Sequence, residues 1–303
     1  MAAIKVTRTD RVFNFINILL MLLVAAAAAY PIYFTILASL SDPYAVVSGR
    51  VTFWPIKPTL EAYTNAFKES RIWQGYKNTM IYTGLGTALS LLLTIPAGYV
   101  LSKKELPGHG FITFYFLLTM YFSGGLIPSY LNIKWLGLIN NAATLIILGG
   151  MSVYNVVVTR AFFASSVPNE LYESAYIDGA SEARSFFSIA LPLAKAIIAV
   201  MALFYAVSRW NDYYTAMIYV SRSDLQPLQA VLRGILLMNQ SALSEIDVTT
   251  MEESMVMELT RKSYMAEAMK YAMIFIASAP LLIAYPFVQK YFVKGVLIGS
   301  VKG

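Results

Sequence analysis

Long stretches without a single charged side chain alternate along this chain with short segments where charge is concentrated. No acidic or basic residue lies between Arg11 and Asp42, for example, and about 20 mostly apolar residues suffice for a helix to cross the hydrocarbon core of a membrane. Continuous runs of this length indicate helices, because barrel strands would give alternating segments of about ten residues. We predict six membrane-spanning helices, at about residues 13–39, 79–102, 111–133, 140–163, 186–208 and 270–292.

Two of these spans need comment. The fifth contains Lys195, whose long side chain can reach the headgroup region from about two turns inside the boundary. The first has an apolar run about twice as long as the 7–15 residue core of a signal peptide, which favours an uncleaved anchor over a cleaved signal. We therefore expect an all-α membrane protein with one transmembrane domain over residues 1–303.

Composition agrees with this pattern. The chain has 303 residues, of which 58% are hydrophobic and 13% charged, and its mean hydropathy is +0.60. Globular soluble domains carry roughly 25% charged residues. About half of the usual charged residues are therefore missing. The apolar surface in their place must face lipid instead of water.

The distribution of basic residues predicts the orientation. Short segments rich in Lys and Arg face the cytoplasm, and here they are the N-terminus, the segment after the second span and the C-terminus, with Lys5, Arg8, Arg11, Lys103, Lys104, Lys290, Lys294 and Lys302. Both termini should therefore be cytoplasmic, and residues 209–269 should form a long extracytoplasmic loop. The excess of basic residues on the cytoplasmic side accounts for most of the net charge of +6. We therefore expect no nucleic-acid partner.

The chain lacks the residues that several kinds of functional site require. The chain has no Cys and a single His, so the usual ligands of a zinc, haem or disulfide site are missing. That histidine, His109, lies in a turn and is interpreted as an ordinary loop residue. There is no phosphate-binding Gly-rich loop ending in Lys-Ser/Thr, and the spans lack the buried acids of ion-coupled carriers. We predict no catalytic residue, no metal and no cofactor on this chain, and an external source of energy for any uphill transport.

The most informative segment is the cytoplasmic loop at residues 165–185 and its continuation to Leu193. Pro168 suits the first turn of a short helix, Glu170 the positive end of its dipole, and Gly179 its end. An apolar stripe with acidic flanks fits a partner's groove. The alternative is a helix lying on the headgroups, which several acids beside anionic lipid disfavour.

This segment also resembles a known signature. Glu173-Ser174-Ala175, then Gly179, then Ile189-Ala190-Leu191-Pro192 resemble the cytoplasmic loop of ABC importer permeases, which reads Glu-Ala-Ala, Gly and Ile-x-Leu-Pro. Ser174 replaces the first alanine, one small residue for another. Other segments resemble the carbohydrate-importing branch of the family, and especially the permeases for polysaccharide-derived oligosaccharides; they are Ser41-Asp42-Pro43, Trp54-Pro55, Trp210-Asn211 and Tyr285-Pro286-Phe287.

The resemblance implies a type I importer permease fold and a set of partners. These are a paralogous permease forming a heterodimer, two cytoplasmic ATPase subunits that use ATP and Mg²⁺, an extracytoplasmic solute-binding protein and an oligosaccharide substrate, all at a bacterial inner membrane. The short helix would be the coupling helix that docks on an ATPase. The residues assigned to coupling are Glu170, Glu173, Ser174, Ala175, Asp178, Gly179, Ile189, Leu191 and Pro192.

Substrate contacts are less well defined by the sequence. Aromatic faces and planar amides hold sugars, and the candidates are Tyr121, Tyr130, Trp210, Asn211 and Tyr214. The alternative for the aromatic residues is the belt that any membrane protein carries at its interfaces. Gly124, Gly125 and Pro128 favour an interruption of the third span, as at transporter sites, or close helix packing.

The sequence does not identify the sugar. Uronic-acid oligomers of the alginate or pectin type would suit a basic pathway, but the predicted spans contain almost no bases. Import of an amino acid or peptide, or ion-coupled secondary transport, remain as alternative functions. Residues 240–264 have no specific interpretation.

Overall fold

The computed structural model describes residues 7–244 and 253–300, and every regular element in that part of the chain is helical. A π-helical turn covers Phe186–Ala190, and a 3₁₀ turn covers Ser223–Leu225. The α-helices are α1 (Arg8–Ser39), α2 (Pro43–Val47), α3 (Glu61–Lys68), α4 (Ser70–Ser102), α5 (His109–Tyr121), α6 (Leu126–Trp135), α7 (Ala142–Ile147), α8 (Val153–Ser166), α9 (Asn169–Ile177), α10 (Glu182–Ser185), α11 (Leu191–Leu193), α12 (Lys195–Trp210), α13 (Tyr214–Tyr219), α14 (Leu228–Ser244) and α15 (Glu253–Ser300).

Three helical stretches in the described chain are long and apolar enough to cross a membrane: Arg8–Ser39, Ser70–Ser102 and Met257–Pro286. Two further pairs meet the test together but are bent, α5 with α6 by 110° and Glu182–Leu193 with α12 by 78°. Counting each pair as one span gives up to five. The expected segment 140–163 is divided between α7 and α8. The count of six therefore stays a prediction.

The third expected span is interrupted at Gly124 and Gly125, where the sequence favoured a break. α5 ends at Tyr121 and α6 begins at Leu126, after Gly125 with φ of 86°. Residues 209–269, expected to be an extracytoplasmic loop, contain α13, α14 and the first part of α15.

The chain divides into two compact units. The first comprises residues 1–69 and 235–278. In it, Leu37 and Ala38 at the end of α1 pack against Ala45 and Val46 of α2. The hydroxyl groups of Ser39 and Tyr63 share a hydrogen bond of 2.7 Å, and a second small cluster joins α3 to α15.

The Ser-Asp-Pro motif after α1 has a local structural role. The Asp42 carboxylate accepts hydrogen bonds from the backbone N–H groups of Tyr44 and Ala45 at 3.0 and 3.2 Å. Pro43 occupies the first turn of α2, where its missing N–H is not needed. The motif therefore begins a short helix directly after the first span.

The second unit comprises residues 70–234 and 279–303, and in it α4 packs against α7, α8 and α12. Small residues permit this: a Cβ added to Gly98 would lie 2.5 Å from Thr159 of α8, and one added to Gly75 would lie 3.0 Å from the Leu228 backbone. The Thr94 and Tyr205 hydroxyl groups share a hydrogen bond of 2.6 Å between α4 and α12. Close packing on α4 thus positions both regions described next.

Candidate functional site

The predicted coupling helix is α9, and its end is defined by backbone geometry. The N–H of Ala180 donates to the Ala175 carbonyl at 2.9 Å, and the N–H of Gly179 donates to the Tyr176 carbonyl at 3.0 Å. This hydrogen-bond pair is the Schellman motif, which needs a left-handed residue after the helix. Gly179 provides it with φ of 76°. Glycine is therefore required at this position for its backbone conformation.

The residues assigned to coupling differ in their exposure to solvent. Among those with described side chains, Ala175 is buried, Ile189 in the π-turn and Leu191 in α11 are half-buried, and Pro192 is exposed. The exposed members of the helix and its end are Glu170, Glu173, Ser174, Asp178 and Gly179. The acids are thus available to a partner.

Tyr99, near the end of α4, lies at the centre of the cluster that holds α9. Its ring is 4% exposed and packs against Phe163 of α8 at 5.6 Å, Tyr172 of α9 at 6.0 Å and Phe186 of the π-turn at 5.0 Å between ring centroids. Its hydroxyl group donates to a Glu182 carboxylate oxygen at 3.2 Å. One residue of α4 therefore contacts α8, α9, α10 and the π-turn.

A cation completes this cluster. The Lys103 ammonium lies 3.2 Å from the centre of the Tyr172 ring and 5.3 Å from that of Tyr99, a cation–π geometry. Burial lowers the pKa of Lys103, opposed by the charges of Glu182 and Glu105. Burial also raises the pKa of Tyr172, and the Glu182 charge adds to that increase.

These groups line a cavity of about 970 Å³ beside α9. It is bordered by the segment after α4, with Lys103 and Lys104, and by Tyr172, Glu173 and Tyr176 of α9. The sequence predicted the short helix α9 but gave Tyr99, Lys103 and Tyr172 no part in the site. The one available signal was the position of Lys103 directly after the second span.

The substrate candidates are not brought together. Tyr121 and Tyr214 are exposed, and the Asn211 amide donates to the Val207 carbonyl at 2.9 Å, which is a local helix-end contact. Tyr130 stacks on Tyr219 at 5.9 Å, and the buried Trp210 packs against Tyr76 at 6.1 Å. None of the five lines a second cavity, which is formed in part by residues close to Trp210 in the sequence.

That second cavity has a volume of about 430 Å³. Three of its lining residues, Tyr205, Ser208 and Arg209, follow the i, i+3, i+4 spacing that places side chains on one face of α12, and Asp212 lines it from just after the helix. Asn155 of α8 lines it as well. The Asp212 carboxylate accepts the Thr215 N–H at 3.0 Å, at the start of α13.

Arg209 is anchored in the wall of this cavity. One terminal nitrogen, Nη1, donates to the Leu145 carbonyl of α7 at 2.8 Å, while Nη2 lies 3.5 Å from the Ser90 hydroxyl. Its stem and Nε pack on Gly86, where an added Cβ would lie 2.5 Å from Nε. The buried Nε has no hydrogen-bond partner among the described residues. The guanidinium is thus held by neutral groups alone.

Within residues 7–244 and 253–300, no group of three His, Asp or Glu side chains is placed to hold a metal ion.

Comparison with known proteins identifies the family. The family described as "Binding-protein-dependent transport system inner membrane component" matches residues 1–298. The chain belongs to this family. The permease is 37% identical over 297 residues to the protein LplC of Bacillus subtilis (strain 168), covering 98% of this chain and 97% of LplC.

A second relative and a solved structure extend the similarity. The permease is 35% identical over 295 residues to the polygalacturonan/rhamnogalacturonan transport system permease protein YtcP of the same organism, covering 97% and 99% of the two chains. It also superposes on a chain from the crystal structure of a bacterial ABC transporter involved in the import of the acidic polysaccharide alginate. That alignment has a TM-score of 0.82 and 32% identity, and covers 96% of this chain and 100% of that one.

Proposed function

We propose that this chain is the transmembrane permease subunit of an ATP-driven importer for polysaccharide-derived oligosaccharides. The observation that carries the proposal is the full-length likeness, with a TM-score of 0.82, to a chain of a transporter involved in alginate import. The likeness to a polygalacturonan/rhamnogalacturonan permease, 35% over 295 residues, supports the same substrate class.

The assembly would contain four kinds of protein. This chain pairs with a paralogous permease, two ATPase subunits bind at the cytoplasmic face, and a solute-binding protein delivers sugar from outside. The membrane part has six spans, with α7 and α8 together forming the fourth, and both termini are cytoplasmic. ATP and Mg²⁺ act only in the ATPase subunits, and this chain performs no catalysis.

Coupling would run from α9 into α4. The exposed Glu170 and Glu173 would meet the ATPase, and Tyr99 would transmit the displacement of α9, because it contacts Tyr172 on that helix and Phe163 on α8. Rigid aromatic contacts suit this role, since packed cores shift between discrete arrangements instead of deforming gradually.

Reconstitution tests the proposal. The chain is co-expressed with its partner permease and ATPases, purified, and placed in proteoliposomes with the binding protein outside and ATP inside. We expect uptake of labelled oligosaccharide that needs both ATP and the binding protein. Uptake of no oligosaccharide, or uptake driven by an ion gradient without ATP, would contradict it.

A further inference from the structure

The α12 cavity is the volume of about 430 Å³ that Asn155, Tyr205, Ser208, Arg209 and Asp212 line. Its size lies within the range of small-molecule sites, roughly 300–1,000 Å³. Tyr154 also lines it and is 55% exposed, so an aromatic face is open to a ligand. Hydroxyl, amide and aromatic groups around one space are the surfaces that sugar rings require.

No described carboxylate contacts Arg209, although that of Asp212 in the same cavity attracts it at longer range. Among the described residues its guanidinium has no carboxylate within 4 Å, and its two hydrogen bonds go to a carbonyl and a hydroxyl group. A cation in a membrane domain is costly and is usually paired. The hydrogen bonds of Arg209 to α7 and α4 need only an N–H donor, which a neutral amide side chain would also provide. These contacts therefore do not explain why a permanently charged side chain stands at this position.

Asp212 is the other charged residue that lines the cavity, and it offsets the charge of Arg209 only from a distance. Its carboxylate accepts the Thr215 N–H at 3.0 Å in the first turn of α13 and lies beyond ion-pair distance from Arg209. The Tyr205 hydroxyl is bonded to Thr94 and to the Ser152 N–H. The Nη2 of Arg209, whose contact with Ser90 is long at 3.5 Å, is the donor that an anion can still use.

We propose that the α12 cavity binds carboxylate-bearing sugar residues, with Arg209 as the counter-charge. The proposal rests on the proposed function and specifies its substrate class as acidic oligosaccharides. A carboxylate gains a charge-assisted hydrogen bond from a guanidinium that is already held in position, so little ordering is required on binding. A neutral sugar gains only ordinary hydrogen bonds there.

The test compares two substrates that differ in charge alone. Labelled oligogalacturonate and the same oligomer with its carboxyl groups reduced to hydroxymethyl groups are offered to the complete transporter in proteoliposomes, with the binding protein saturating. Binding to the detergent-solubilised transporter, measured as the shift of its thermal midpoint by each oligomer, is a second measurement that does not need the binding protein.

Two independent substitutions change the charge of the cavity. Arg209→Gln keeps a donor for the Leu145 carbonyl and removes the charge; we expect about a tenfold or greater loss in uptake of the acidic oligomer and loss of its thermal shift. Arg209→Lys should retain most activity. Asn155→Asp adds a negative charge at nearly constant volume and should reduce acidic uptake about fivefold or more. Asn155→Ala removes the amide without adding charge, so it should reduce uptake of the acidic oligomer less and affect both oligomers to the same extent.

The outcomes separate the two proposals. If the wild-type transporter imports neither oligomer, the proposed function fails. If it imports oligosaccharide and Arg209→Gln and Asn155→Asp each affect both oligomers equally, or Asn155→Asp matches Asn155→Ala, the assignment of the α12 cavity is wrong and the proposed function stands. If Arg209→Gln does not assemble, the Asn155 pair decides.

Discussion

Gly179 allows a direct test of the proposal that α9 receives force from the ATPase subunits. Its φ of 76° lies in the left-handed region, and no heavy atom lies within 4 Å of a Cβ added there. Alanine would therefore add backbone strain without a clash. A non-glycine residue in this conformation costs roughly 1–2 kcal/mol, which lowers the population of the Schellman turn by a factor of about 5–30.

The assay measures sugar imported per ATP hydrolysed in proteoliposomes. We expect Gly179→Ala to lower this ratio about fivefold, because ATPase closure then unwinds the end of α9 instead of moving it. Gly179→Asn should have a smaller effect, since Asn tolerates the left-handed region. Gly179→Trp should uncouple at least as strongly as Ala through the same strain, because the site itself has open space.

Gly49→Ala is the matched control. Gly49 has φ of 68° and equally open surroundings, but it lies after α2, far along the chain from the coupling segment. The same strain there should leave the ratio unchanged. A wild-type ratio in Gly179→Ala, or an equal loss in Gly49→Ala, would refute the reasoning.

Three further substitutions test other contacts. Glu173→Lys should reverse the exposed charge of α9 and reduce the amount of ATPase that co-purifies; unchanged recovery would remove Glu173 from the interface. Tyr99→Phe retains ring packing and loses the bond to a carboxylate, so we expect a loss of roughly 1–2 kcal/mol in stability, seen as a lower thermal midpoint. Gly98→Val should destabilise by roughly 1–3 kcal/mol through overpacking on Thr159, while Gly84→Val, where the space is open, should cost less; equal melting of the pair would contradict the packing.

Local features of this protein could be predicted from the sequence alone. The limits of α9 depend on Pro168 and Gly179, which act on their own immediate backbone. The interruption between α5 and α6 follows equally from Gly124 and Gly125. Neither feature depends on residues far away in the chain.

Features that combine distant segments could not be predicted in this way. Tyr99 and Glu182 are 83 residues apart, and Arg209 and Leu145 are 64 apart. Tyr205, Ser208 and Arg209 have helical spacing in the sequence, but Arg209 follows the expected end of the fifth span at residue 208, so the sequence alone places it in a loop.

The sequence by itself determined that the protein is helical and lies in a membrane, and where α9 begins and ends, because hydropathy and capping act over a few residues. Only the tertiary structure decided which helix α9 rests on and which charge enters a cavity. Those depend on the close approach of α4 to α8 and α12, which Gly98 and Gly86 permit, and contact between helices is a property of three-dimensional packing.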